Sequence, residues 1–241
     1  MLARFRRNRL HNVCTYGRSV KIINGVNFLM ALGVAFIQSV FLLIPMPALA
    51  VDESVVVVFG DSLSAGYGLE EADSFPVQLE RALQGAGLNA KVINAGVSGD
   101  TTAGGRARLV WSTPADTDLV ILELGANDGL RGIEPAETEA NLDAMLRELG
   151  GRNMEVLFTG MRAPPNLGRE YGASFDKLFA RLARKYNLAF YPFFLEGVAA
   201  EADLNQSDGI HPNANGVAQI VDRITPYVLK ILARSGPSSS R

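Results

Sequence analysis

Runs of consecutive apolar residues alternate along this chain with stretches whose apolar positions recur every three or four residues. The first run, Ser54 to Phe59, reads Ser-Val-Val-Val-Val-Phe and fits a strand buried on both faces, as in a parallel sheet. Similar runs recur at Ala90 to Asn94, Leu119 to Leu124, Glu155 to Thr159 and Leu188 to Tyr191. Between them lie helical patterns. Ser74 to Leu83 carries Phe75, Leu79 and Leu83; Pro135 to Leu149 carries Leu142, Met145, Leu146 and Leu149; Phe175 to Tyr186 carries Phe175, Leu178, Phe179 and Leu182. A last helix is predicted from Pro212 to near Ala233. Strands that alternate with helices predict an α/β domain with a mainly parallel sheet over residues 51–233. The Ser/Gly/Pro-rich residues 234–241 are expected to be a disordered tail. No internal repeat is visible.

Residues 1–50 follow a different pattern. They hold six basic residues (Arg4, Arg6, Arg7, Arg9, Arg18, Lys21) and no Asp or Glu. An apolar run from Phe28 to Ile44 follows, and Ala48 and Ala50 form an A-x-A pattern. This reads as a signal peptide cleaved after Ala50, which places the protein in the periplasm or outside the cell. The other reading is an uncleaved N-terminal membrane anchor, for which the run is just long enough. Arg6-Arg7 also hints at twin-arginine export, although the apolar run begins far from it.

Cleavage changes the chemistry available. It removes Cys14 and His11, so His211 becomes the single histidine and no cysteine remains. That excludes a disulfide, a thiolate nucleophile and a cysteine-based metal site. The overall net charge of −2 conceals an acidic body: beyond residue 50 there are 17 basic and 25 acidic residues, a net of −8. Such a surface argues against nucleic acid as a partner.

In parallel α/β sheets functional groups collect in the loops at the carboxyl ends of the strands. The first such loop is Gly60-Asp61-Ser62-Leu63-Ser64. Ser62 follows a buried strand directly and could be an exposed nucleophile, or it could cap the next helix. The Gly-x-Ser-x-Gly elbow is absent. After the second strand, Gly99 could offer a backbone N–H to an oxyanion; after the third, Asn127 could offer its side-chain amide. Both could equally fill turns. Asp208 and His211 lie three apart before Pro212, so a carboxylate could hold Nδ1 of the imidazole and leave Nε2 free as a base. An exposed histidine beside a turn-capping aspartate reads as well from those residues alone. One histidine and scattered acids do not match a metal set, and no glycine pattern matches a nucleotide loop.

Taken together, four segments resemble the conserved blocks of the GDSL, or SGNH, hydrolases. They are Gly60-Asp61-Ser62-Leu63, Gly99, Gly125-Ala126-Asn127-Asp128 and Asp208-Gly209-Ile210-His211-Pro212, in family order. The resemblance runs from about residue 54 to 230. It is closest to the bacterial periplasmic acyl-CoA thioesterase I / lysophospholipase branch, also called arylesterases. Longer matches to that branch are Ser98 to Thr101, Glu123 to Gly132 and Pro192 to Phe194.

The resemblance implies a single flavodoxin-like three-layer α/β/α domain with a five-stranded sheet of order 2-1-3-4-5. The loops of Ser62, Gly99 and Asn127 then follow three adjacent strands, about 4.8 Å apart. It also implies Ser62 as nucleophile, Asp208 and His211 completing the triad, and the Ser62 and Gly99 N–H groups with Asn127 as the oxyanion hole. Asp61 and Asp128 are assigned to turn stabilisation. The expected activity is serine-dependent hydrolysis of carboxylic esters or thioesters, with no cofactor and no metal. Substrates in view are small acyl esters, lysophospholipids and thioesters, with transient contact to membrane lipid. Leu130, Met161, Pro164, Leu167 and Phe193 are expected to line an acyl groove, although a plain connecting loop with core aromatics fits the same residues. Carbohydrate acetylesterases share the fold, and a non-catalytic secreted binding protein is the remaining alternative.

Overall fold

The computed structural model describes residues 53–235. The expected signal segment 1–50, its cleavage point after Ala50, and residues 236–241 of the expected tail lie outside them.

Five strands form one sheet: β1 (Ser54–Gly60), β2 (Ala90–Gly96), β3 (Leu119–Glu123), β4 (Glu155–Thr159) and β5 (Ala189–Tyr191). Their order is β2-β1-β3-β4-β5, and every neighbouring pair is parallel. Val56 to Phe59 of β1 and all five residues of β3 are buried, as continuous apolar runs require in a sheet covered on both faces.

Seven helices connect and flank the strands: α1 (Ser62–Ala65), α2 (Phe75–Gly85), α3 (Thr102–Ser112), α4 (Ala126–Arg131), α5 (Pro135–Gly151), α6 (Arg169–Lys185) and α7 (Ala214–Ser235). Right-handed crossovers assign them to faces. The chain steps from β1 to β2 in one direction, then reverses to reach β3, β4 and β5. The crossover helices after the reversal, α3, α5 and α6, therefore cover the opposite face, whereas α7 follows the last strand and is free to return to the face of α2. In accord with this, α2 packs with α7, while α3 packs with α5 and α5 with α6. The reversal leaves a crevice at the carboxyl ends of β1 and β3, where ligands bind in folds of this kind.

Two of the longer helices differ from the sequence-based expectation. Helix α3 is additional. Its buried face consists of Thr102, Gly105, Arg108 and Leu109, so no apolar period marks it. Helix α7 runs to Ser235, two residues into the expected tail. It begins at Ala214 instead of Pro212, because Asn213 Oδ1 accepts the N–H groups of Asn215 and Gly216, both at 3.0 Å, and so caps the helix. Pro212 instead bridges to Asn205 in an isolated antiparallel pair.

Candidate active site

β1 ends at Gly60, and the chain turns at once into α1. Asp61 caps this short helix, its Oδ1 accepting the Leu63 N–H at 3.0 Å. Ser62 is the first helical residue and is half-buried. Glycine is required at position 60 by close approach: a Cβ there would lie 2.1 Å from Ser64 Oγ and 2.3 Å from Glu123 Oε2.

The loop before α7 brings the imidazole to this serine. His211 Nε2 is 2.9 Å from Ser62 Oγ, and His211 Nδ1 is 2.6 Å from Asp208 Oδ2. Asp208 Oδ1 also accepts the backbone N–H groups of Ile210 at 2.9 Å and His211 at 3.0 Å. These bonds, first that of the His211 N–H and then that of its ring, lower the Asp208 pKa to about 2. An ionised carboxylate only accepts, so Nδ1 carries the proton and Nε2 is left to accept from the Ser62 hydroxyl. Gln206 fastens the loop: its N–H donates to the His211 carbonyl at 2.7 Å, and its Nε2 to the carbonyls of Tyr67 at 2.8 Å and Pro212 at 3.0 Å.

Asn127 stands in the first turn of α4, directly after β3. One of its amide protons goes to Asp61 Oδ2 at 3.1 Å; an Nδ2 group has a second. Gly99 is exposed with φ +83°, in the loop after β2, and its carbonyl accepts from Arg131 Nη2 at 2.7 Å. A hydroxyl on a carboxylate-held imidazole, with the Asn127 amide bonded to the residue before that serine, is an arrangement able to carry out acyl transfer.

Two buried carboxyls lie under the serine, and sequence reasoning gave them too little weight. Asp61 and Glu123 are both fully buried. Desolvation raises the Asp61 pKa to about 6, against the pull of its bonds from Leu63 and Asn127. Burial, followed by the charge of Asp61, pushes Glu123 well above the usual carboxylate range. Glu123 Oε2 accepts Ser64 Oγ at 2.7 Å and the Asp61 N–H at 3.3 Å. The signal was legible: Glu123 is the one acid inside the apolar run Leu119 to Leu124. Asp128, assigned above to a turn, instead ties helices together: it accepts from Thr102 N at 2.8 Å, at the start of α3, and from Thr138 Oγ1 at 3.1 Å, in α5.

Arg108, on the buried face of α3, was also missed. It donates to Gly60 O at 2.9 Å, Ala95 O at 2.8 Å and Asp100 Oδ2 at 2.6 Å. One guanidinium thus ties the strand end before Ser62 to the residue after Gly99.

The expected acyl-groove residues divide. Leu130 is half exposed, on the same short helix as Asn127. Pro164 and Leu167 approach that helix: a Cβ at Gly129 would lie 3.4 Å from Pro164 Cδ, and one at Gly132 3.8 Å from Leu167 Cδ2. Met161 is a correction. Only 3% exposed, it belongs to the core cluster: it lies two residues past buried β4 and packs inward. Phe193 lies past β5, with the Arg162 guanidinium 4.4 Å from its ring centroid. Among the described residues no three His, Cys, Asp or Glu side chains cluster as a metal site would require, and no helix is long and apolar enough to cross a membrane.

The GDSL-like Lipase/Acylhydrolase family model matches residues 58–219, which include Ser62, Gly99, Asn127, Asp208 and His211. The chain belongs to that family. As a GDSL hydrolase it is an enzyme acting on ester bonds. It is 38% identical over 181 residues to an esterase, TesA, of Pseudomonas aeruginosa, covering 73% of this chain and 89% of the relative. It is also 38% identical over 168 residues to thioesterase 1/protease 1/lysophospholipase L1 of Escherichia coli, covering 69% and 79% of the two chains. The crystal structure of AlinE4, an SGNH-hydrolase family esterase, superposes with a TM-score of 0.63 at 49% identity, covering 75% of this GDSL hydrolase and 97% of AlinE4.

Proposed function

We propose that this esterase hydrolyses acyl esters, lysophospholipids or thioesters through a Ser62–His211–Asp208 triad. The observation that carries the reading is the continuous relay from Asp208 Oδ2 through His211 to Ser62 Oγ, at 2.6 and 2.9 Å. Ser62 Oγ attacks the carbonyl carbon as its proton passes to His211 Nε2. Asp208, held ionised by three N–H bonds, steadies the imidazolium without taking its proton. The carbonyl oxygen becomes an oxyanion and receives the Ser62 N–H, the Gly99 N–H and the second amide proton of Asn127. The intermediate collapses, Nε2 gives its proton to the departing oxygen or sulfur, and an acyl-Ser62 ester remains. Water, deprotonated by the same nitrogen, releases the acid.

The apolar surface formed by Leu130, Pro164 and Leu167 favours an acyl chain over a polar acyl group. The basic start, apolar run and A-x-A pattern of residues 1–50 support export with cleavage after Ala50. In that compartment lysophospholipids and exogenous esters suit the enzyme better than an intracellular thioester.

The test is Ser62→Ala. It should abolish turnover of p-nitrophenyl butyrate while leaving the urea unfolding midpoint unchanged. Undiminished turnover would end the reading.

A further inference from the structure

Tyr67 is 53% exposed, yet its ring is held beside the imidazole. The ring centroids of Tyr67 and His211 are 4.6 Å apart, with planes tilted by 39°. Backbone bonds fix this position in place of burial. The Tyr67 N–H donates to the Ser62 carbonyl at 3.2 Å, and its carbonyl accepts from Gln206 Nε2 at 2.8 Å. Gln206 also holds the His211 carbonyl. The ring therefore rides on the same frame as Ser62 and His211.

Acyl-transfer chemistry says which part of a substrate meets it. The imidazole that deprotonates the serine also protonates the leaving atom, so the leaving group departs on the imidazole's side. The carbonyl oxygen turns instead toward the amide donors at Gly99 and Asn127. We infer that Tyr67 is the wall of the leaving-group subsite and is the residue on which discrimination between planar aromatic and short alkyl leaving groups depends. The inference rests on the roles proposed above for Ser62 and His211. A fixed aromatic face gives a planar ring stacked or edge-on contact that a short alkyl group cannot match.

The test compares phenyl butyrate with ethyl butyrate. Both pass through the same butyryl-Ser62 enzyme, so kcat/KM reports leaving-group contacts while deacylation does not. In Tyr67→Ala, kcat/KM for phenyl butyrate should fall about three- to tenfold relative to ethyl butyrate, the size of one aromatic contact. Tyr67→Phe should keep the wild-type ratio. The hydrolysis rate of butyryl-enzyme, followed by single turnover, should be unchanged in both. An unchanged ratio in Tyr67→Ala overturns the inference. So does an equal loss on both esters with slower deacylation, because that marks Tyr67 as a support for His211 alone. Tyr67→Leu, which keeps apolar bulk at the turn, repeats the comparison if the alanine variant misfolds. Hydrolysis that persists in Ser62→Ala would instead refute the proposed triad and remove the ground of the inference.

Discussion

Replacing Asp61 with asparagine should separate stability from activity. Asp61 Oδ1 accepts the Leu63 N–H at 3.0 Å and Oδ2 accepts Asn127 Nδ2 at 3.1 Å. Asparagine offers one oxygen for two donors, so either the α1 cap or the hold on Asn127 is lost, and an amide N–H faces another. That mismatch costs about 1–3 kcal/mol. Against it stands the desolvated charge. Keeping a carboxylate ionised at pH 8 when burial has raised its pKa from 3.8 to about 6 costs about 3 kcal/mol of folding free energy. Asparagine removes that cost, so Asp61→Asn should be about as stable as wild type at pH 8, or slightly more so. Turnover should nonetheless fall by as much as 10²–10³-fold, the effect of one mis-aimed oxyanion donor.

The pH dependence carries the sign of the raised pKa. Protonation of Asp61 favours the folded state below pH 3.8, and this advantage is lost as pH rises through about 6. Wild type should therefore gain on Asp61→Asn as pH drops from 7 to 4. Urea unfolding at pH 8 and pH 4.5, with kcat measured on p-nitrophenyl butyrate at pH 8, reads all three effects. A variant that loses several kcal/mol at pH 8, or one that keeps full turnover, refutes the reasoning.

Asn127→Ala should lower kcat by about 10²–10³-fold with little change in KM; a rise in KM at constant kcat would assign Asn127 to ground-state binding instead. Across p-nitrophenyl acetate, butyrate, hexanoate and octanoate, all below their micelle concentrations, kcat/KM should rise by up to about tenfold for each two methylenes that reach the Leu130, Pro164 and Leu167 surface, at about 0.8 kcal/mol per CH₂. A flat or falling series would point to a polar acetylesterase pocket.

The strands were legible because a sheet buried on both faces needs unbroken apolar runs, and Val55 to Phe59 or Leu119 to Leu122 supply them. The loops were legible because the residues that turn the chain at the strand ends are also those placed around the candidate site. What escaped notice lacks a local signature. Helix α3 turns Gly105 and Arg108 inward, so its hydrophobic period is blank. Arg108 is buried only because Gly60 O, Ala95 O and Asp100, distant in sequence, converge on it. Tyr67 reads as a surface tyrosine until the loop of His211 is folded against it. Met161 shows the converse: a Pro/Gly-rich segment suggested an open groove, but its first residue still belongs to the strand's core.

The central claim is that Ser62 is the nucleophile, and covalent labelling tests it most directly. Treatment of the enzyme with a fluorophosphonate ester, followed by peptide mapping, should give one adduct per chain, on the peptide containing Ser62. Activity should vanish in step with labelling, and Ser62→Ala should take up no label. An adduct on another residue, or full turnover by protein that labels nowhere, would contradict the account.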